Sequence, residues 1–385
     1  MIEQQICAVL DRMRPEARLA VIHGGDSRQP QAVVYSTRNP RSSKTYVDVA
    51  GDIAESLRAN GFRHVCLLPD DMTLPQRLRE LKIDMAWLNT GGTQGLTSAC
   101  HAASMLELCG IPYVGHNPLN AALLDNKHMF KHVVSSLGLP TAPYVTVNVD
   151  EVSQDVRRRP DFIKRFASYS GDFVVKPVSG RASLHVHVAS LADLMDAVRA
   201  VFDATGNTVL VESWLSGAEL TAGVSGPVVC RGGQVTLGSS PFVFSVLERL
   251  FDTGERIFTS KDMRPIGLDR LRLLSCDETE TTRSVTLIAA KLFQRLGLES
   301  TVRADFRCDD RGRVYLLEAN PKPDLKAPGQ GVVSLMAAGL HLQGLDFNDL
   351  ILTLLADRVH QLLTRRAEYA VALRRFVPER TGMGV

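Results

Sequence analysis

Charge of one sign is the first thing this chain lacks. Its 385 residues carry 44 basic against 42 acidic side chains, a formal +2, with no Lys/Arg block and no aromatic–basic interleaving. Nucleic acid is therefore not an expected partner. CxxC spacing is also missing. The seven cysteines (Cys7, Cys66, Cys100, Cys109, Cys230, Cys276, Cys308) are scattered and odd in number. That pattern excludes a zinc site or a disulfide framework and fits reduced thiols of a cytosolic protein. No basic-then-apolar leader opens the chain and no apolar run reaches membrane-spanning length, so the expectation is a cytoplasmic, globular protein without a membrane partner. Internal repeats and low-complexity linkers are absent too. At 42.2 kDa the chain can bury large cores and should divide into two or three domains.

What is present first is alternation. RLAVIHGGDS (18–27) reads as a strand entering a glycine turn, 44–60 has helical spacing, and HVCLLPD (64–70) is a second strand. IDMAWLNTGG (83–92), a helix through TSACHAASMLELCG, and IPYVGH continue the pattern. Residues 1–124 are thus expected to form an open α/β domain with a mainly parallel sheet, its sites at the carboxyl ends of the strands near Gly24-Gly25 and 89–92. A smaller α+β unit follows over 125–212, opening with the helix KHMFKHVVSSLG and continuing through FVVKPVSG, LHVHVAS and NTVLVESWL. Residues 213–385 make a larger antiparallel unit that closes on a long amphipathic helix near 347–376. The apolar stripe of that helix suits a core face or a dimer face equally.

The stretch 301–323, TVRADFRCDDRGRVYLLEANPKP, carries the most chemistry. VRADF alternates, DDRG is turn chemistry, and RVYLLEAN returns as a second strand, so a β-hairpin is expected. Period-two geometry puts Arg303 and Asp305 on one face and Ala304, Phe306 and Cys308 on the other, while Glu318 and Asn320 share a face at the far end. Closure at 310–312 brings two carboxylates, a carboxamide and a guanidinium together. Hard oxygen ligands of that kind suit Mg²⁺ shared with nucleotide phosphates, and Arg suits developing phosphoryl charge. The alternative is an exposed hairpin with solvated charges.

Other positions are less specific. Lys176 ends an apolar strand before VSGRAS, a small-residue loop whose backbone amides and Ser183 can donate to phosphates; alternatively it is a surface strand terminus. Glu212 closes VLVES, and Glu219 follows a turn at Gly217; a carboxylate there can meet an adenine or ribose edge, or simply form a salt-bridged strand end. Lys127 near the start of its helix reads equally as a solvated helix residue.

In order, the segments VIHGGDS, GIPYVGHNPLNAALLDNKHMFK, FVVKP, VLVESWLSGAEL, VRADF and YLLEANPKP resemble the ATP-grasp superfamily, and within it the D-alanine–D-alanine ligase branch, along nearly the whole chain. The resemblance implies a three-domain ATP-grasp architecture. It implies that Lys127 and Lys176 contact ATP phosphates, that Glu212 and Glu219 lie at adenine and ribose, and that Ser213, Trp214 and Leu215 form the adenine-reading hinge. Ser183 and Phe306 are placed with this nucleotide set. Arg303, Arg249 and Lys176 become the catalytic cations, with Arg249 standing where the family has a lysine near the acyl phosphate. Asp305, Glu318 and Asn320 would hold two Mg²⁺ ions, with Mn²⁺ a possible substitute. A homodimer is implied as well. The implied reaction phosphorylates a carboxylate with ATP and passes the acyl group to an amine.

Departures cluster where substrates would bind. The first turn reads GGDSRQ, with neutral Gln29 where the family has an ammonium-holding Glu, and an acidic stretch is replaced by uncharged NTGGTQG beginning at Asn89. RASLH (181–185) lacks the usual phosphate-loop glycines, and NPKPDLKAPGQG brings Lys322 and Asp324 near the metal residues. Ser334 aligns with the serine that binds the second substrate's carboxylate. Gln29, Asn89, Lys322 and Ser334 are accordingly the expected substrate residues. The favoured expectation is an ATP-dependent carboxylate–amine ligase joining an amino-acid-like carboxylate to a small-molecule amine in specialised metabolism. The alternatives are a true D-alanine–D-alanine ligase and a catalytically lapsed ATP-binding scaffold.

Overall fold

The computed structural model describes residues 2–25, 46–92, 98–180, 183–257, 266–275, 277, 279–329, 333–365 and 373–377. The first elements are α1 (Ile2–Glu16), β1 (Arg18–Gly24), α2 (Val47–Ala59), β2 (His64–Asp70), α3 (Leu74–Glu80), β3 (Met85–Asn89), α4 (His101–Leu108), β4 (Tyr113–Val114) and α5 (Pro118–Asp125). Their strands form one sheet in the order β2-β1-β3-β4, every pair parallel. Parallel strands need both faces covered. In β1, Leu19 and Val21 pack into the core shared with α1 and α2, while Ala20 and Ile22 pack into a second core with Leu74, Leu78 and Leu106.

Next come α6 (Lys127–Ser136), β5 (Tyr144–Val147), α7 (Pro160–Arg165), β6 (Phe173–Pro177), β7 (His187–Ala189), α8 (Leu194–Thr205) and β8 (Val209–Ser213). Their strands make an antiparallel sheet ordered β5-β8-β6-β7. The odd-numbered Val145, Val147, Phe173, Val175, Val209 and Val211 bury against Phe162 and Val198 of the covering helices. Strand parity therefore turns Val174, Lys176 and Glu212 to the other face.

The last part holds β9 (Glu219–Ser225), β10 (Val228–Arg231), β11 (Gln234–Leu237), β12 (Phe242–Arg249), β13 (Leu271–Leu273), α9 (Glu280–Arg295), β14 (Val302–Cys308), β15 (Val314–Asn320) and α10 (Phe347–Thr364). Five strands run β13-β12-β9-β14-β15, all antiparallel. One face buries Leu220, Ala222, Val302, Ala304 and Phe306 against Val285, Ala289 and Leu292 of α9. The opposite face presents Glu219, Thr221, Arg303, Asp305 and Arg307.

The expected hairpin forms with Arg303 opposite Asn320 and Asp305 opposite Glu318, but a bulge separates Asp305/Glu318 from Phe306/Leu316. Its effect is decisive for β15. Before the bulge, Val314 and Leu316 face the core; after it, Ala319 does. The extra residue, Leu317, inverts the parity, so Glu318 and Asn320 turn away from the core toward Asp305.

The closing helix stops at Thr364, short of the expected 376. It is buried on almost every side, including Leu350, Leu354, Leu355 and Val359 in the core with α1 and α2, so for the described residues the core-face reading holds. Among the described residues no helix is long and apolar enough to cross a membrane. Of LHVHVAS only His187–Ala189 pairs as β7, and α8 runs from Leu194 to Thr205, where Gly206 (φ 62°) ends it.

Candidate active site

The polar faces of the two antiparallel sheets enclose a cavity of about 580 Å³. Its lining includes Lys127, Lys176, Ser183, Glu212, Ser213, Trp214, Leu215, Glu219, Arg249, Arg303, Asp305, Glu318 and Asn320. Residues from Lys127 to Asn320 thus share one space.

At one end lies the connection from β8 to β9. Ser213 N donates to the Pro143 carbonyl at 3.0 Å, Trp214 N donates to the Asp172 carbonyl at 2.9 Å, and the Tyr169 hydroxyl donates to the Trp214 carbonyl at 3.0 Å. The Arg256 guanidinium sits 4.2 Å from the Trp214 ring centroid and pairs with Asp172 at 2.6 Å. These bonds hold the connection in one conformation.

Glu212 is 2 % exposed and meets two ammoniums: Lys176, in direct contact, and Lys131 at 2.8 Å. Burial alone would raise its carboxyl, but Lys131 and then Lys176 outweigh burial and hold it at about 2. The salt-bridged alternative for Glu212 and the pairing demanded of a buried Lys176 are both realised in this single triad. Lys127 bridges the two sheets, donating to the Gly180 carbonyl at 3.1 Å and pairing with Glu318 at 3.1 Å. The loop after β6 takes left-handed backbone at Ser183 (φ 56°) and His185 (φ 58°), conformations glycine would adopt without strain. Arg181 lies outside the described residues.

The floor is a chain of alternating charge. Arg307 Nη1 lies 3.4 Å from Glu219, Arg249 pairs with Glu219 at 2.6 Å and with Asp305 at 3.2 Å, and Arg303 pairs bidentately with Asp305 at 2.8 Å through both contacts. Thr221 Oγ1 and Asn320 Nδ2 also donate to Asp305, at 2.9 and 3.2 Å. Burial would raise the Asp305 carboxyl, yet Arg249 and Arg303 overcome it and keep the group well below the usual carboxylate range. The same partners, Asp305 before Glu219, raise the Arg249 guanidinium against burial. Glu318 is likewise lowered, burial being outweighed chiefly by Lys127.

Two carboxylates and a carboxamide oxygen at one hairpin end match the ligand chemistry of a hard divalent cation. Among the described residues no group of three or more His, Cys, Asp or Glu gathers as a metal site, here or elsewhere, so the hairpin set is two carboxylates completed by the Asn320 carboxamide. Because Asp305 is covered by Arg303, a cation at this carboxylate has to take the place of guanidinium contacts.

Several expected residues lie elsewhere. Phe306, placed with the nucleotide set, is fully buried in the core under α9 and does not reach the cavity; strand parity opposite Asp305 sends it there. Asn89 is buried and donates to the Tyr46 carbonyl at 3.1 Å, outside the cavity lining. Lys322 lies 3.4 Å over the Tyr46 ring, and Ser334 is buried with its hydroxyl donating to the Asp324 carbonyl. Gln29 falls outside the described residues. Conversely, Lys131, Arg307, Thr221 and Lys326 went unassigned. Lys131 follows Lys127 by four residues on one helix face, and Arg307 and Thr221 follow Asp305 and Glu219 by two, so periodicity held the signal for three of the four.

A family profile described as the D-ala D-ala ligase C-terminus matches residues 133–356. A D-alanine–D-alanine ligase of Pseudomonas entomophila is 29 % identical over 347 residues, covering 89 % of this chain and 93 % of that protein. Another, from Pseudomonas fluorescens, is 30 % identical over 288 residues, 74 % of this chain and 78 % of its own length. Among solved structures, the D-alanine–D-alanine ligase from Bacillus anthracis complexed with ATP superposes with a TM-score of 0.64 at 18 % identity, covering 90 % of this chain and 99 % of its own. The VanG D-Ala:D-Ser ligase from Enterococcus faecalis gives 0.62 at 17 % identity over 89 % and 100 % of the two chains. At those identities the structures speak for the fold.

Proposed function

Because this chain belongs to the D-alanine–D-alanine ligase family of ATP-grasp proteins, and so to the ATP-dependent carboxylate–amine ligases, we propose that it activates an amino-acid-type carboxylate as an acyl phosphate and transfers it to an amine. The products are an amide, ADP and phosphate. The observation that carries this reading is the convergence of Arg249 and Arg303 on Asp305, in the cavity that the 213–215 connection also lines. A nucleotide-binding scaffold alone has no use for two guanidiniums at the reacting end.

In this reading the 213–215 connection holds the base, with Glu219 toward the ribose. Lys127 and Lys176, already at the cavity wall, supply charge to the phosphates. Arg303 and Arg249 meet the negative charge that gathers as the phosphoryl group passes to the carboxylate. A divalent cation held by Asp305, Glu318 and the Asn320 carboxamide would neutralise phosphate charge there. The sheets on either side keep bulk water from the acyl phosphate, which would otherwise hydrolyse.

For the substrates, the names of the relatives support D-alanine in both positions, ahead of a specialised amine. The specialised reading rests on neutral Gln29 and the uncharged NTGGTQG run. Phosphate release with ATP and Mg²⁺ across D- and L-amino acids, singly and in pairs, with product masses, tests both. Release with D-alanine and a product of twice its mass less water supports the first. Release only with another pair supports the second, and silence throughout removes the ligase reading.

A further inference from the structure

Between β15 and Ser334 the chain makes a strap, 321–328, along the cavity, and we infer that this strap reads an α-amino acid as a zwitterion, Asp324 taking the ammonium and Lys326 the carboxylate. The inference rests on the ligase reading of the site and names how one of its substrates is recognised.

The strap is fixed rather than loose. Leu325 is 5 % exposed and packs in the core with Met336 and Ala337. The Ser334 hydroxyl donates to the Asp324 carbonyl, and Ala327 N donates to the Asp52 carboxylate on α2 at 2.9 Å. The Lys322 ammonium caps the Tyr46 ring. With Leu325 turned inward, its neighbours Asp324 and Lys326 both turn to the cavity, and both line it. Side chains of opposite sign, two residues apart on one edge, are the complement of a molecule carrying an ammonium and a carboxylate.

Lys326 provides the second observation. It is half-buried, and among the described residues it makes no hydrogen bond or ion pair, whereas the cavity's other lysines, Lys127 and Lys176, each hold a carboxylate. A partly desolvated ammonium on a cavity wall gains most from an anion supplied by a ligand. The Ser334 bond at Asp324 is made to its backbone carbonyl.

The test uses the full chain with Mg²⁺ and a non-hydrolysable ATP analogue, with binding read by calorimetry. The probes are D- and L-amino acids, each beside its deaminated acid and its decarboxylated amine; for alanine these are propionate and ethylamine. Wild type should bind at least one amino acid about tenfold or more tightly than either counterpart. Lys326→Met should erase the advantage over the amine, Asp324→Asn the advantage over the acid, and both should bind the nucleotide analogue within about twofold of wild type. The inference is overturned if both variants bind the amino acid as wild type does, if no amino acid outbinds its counterparts, or if nucleotide binding falls in step, which would place Lys326 on the phosphates. Zwitterion binding without phosphate release would strike the ligase reading and leave the strap standing. Turnover unchanged in both variants would do the reverse.

Discussion

Along the sheet faces of the cavity, Glu212 faces two lysines, Glu219 faces Arg249 and Arg307, and Asp305 faces Arg249 and Arg303. At the strap end, Lys326 has no such partner among the described residues and is half-buried rather than sealed. The difference teaches how one cavity divides its work. Buried charges must be matched within the protein, because desolvating them alone costs more than folding can spare. A matched lattice is already oriented before ATP arrives, which is what stabilising a phosphoryl transfer requires. The strap end leaves a charge for the substrate to match, so selectivity can change there without disturbing the lattice.

Glu212→Gln should break the lattice most severely. Two ammoniums in the sheet interior would lose their counterion, at a cost of about 3–5 kcal/mol. Thermal and urea unfolding check this; unchanged stability would show that the triad is replaceable by water. Arg303→Ala comes next, with kcat for phosphate release expected to fall about 10²–10³-fold while circular dichroism is unchanged. Turnover within a few-fold of wild type would move the reacting end away from Asp305.

His116 sharpens the comparison from outside the cavity, as a buried titratable group kept neutral instead of paired. Burial lowers it to about 4 from 6.5, and its Nε2 lies 3.3 Å from the Thr301 carbonyl. The unfolded chain takes up this proton first as pH falls, so the contribution of His116 is fully present above pH 6.5 and is lost between 6.5 and 4, about 3 kcal/mol in all. Asp357 runs the other way. Burial raises it to about 6 from 3.8, so its contribution is lost as pH rises through that interval. Because the two slopes oppose each other, the melting temperature of His116→Gln should rise relative to wild type's as pH falls from 6.5 to 4, and the difference between the two curves isolates His116. Parallel curves would show that His116 titrates normally.

Much of this was legible in the residues. Alternation around Arg303 and Asp305 announced their common face, because side-chain direction in a strand follows parity alone. Apolar runs closed by Lys176 and Glu212 marked strand ends where charge needs a partner, though not that they partner one another. That pairing depends on β6 and β8 being neighbours, a long-range fact invisible in either segment. Phe306 lies in the core, as its parity opposite Asp305 requires, and Lys322 lies over Tyr46, because nearness in sequence to Asn320 is not nearness in space.

The amino-acid sequence by itself determined the elements, the polar and apolar faces of most strands, and the family, since these follow from local periodicity and ordered motifs. Only the tertiary structure decided the face of β15. Counted by parity, Glu318 and Asn320 belong with Leu316 and Val314, in the core. The bulge at Leu317 turns them to the cavity, and nothing local to the strand requires it. It answers to the register with β14, where burying two such polar groups would cost more than one unpaired residue in the ladder.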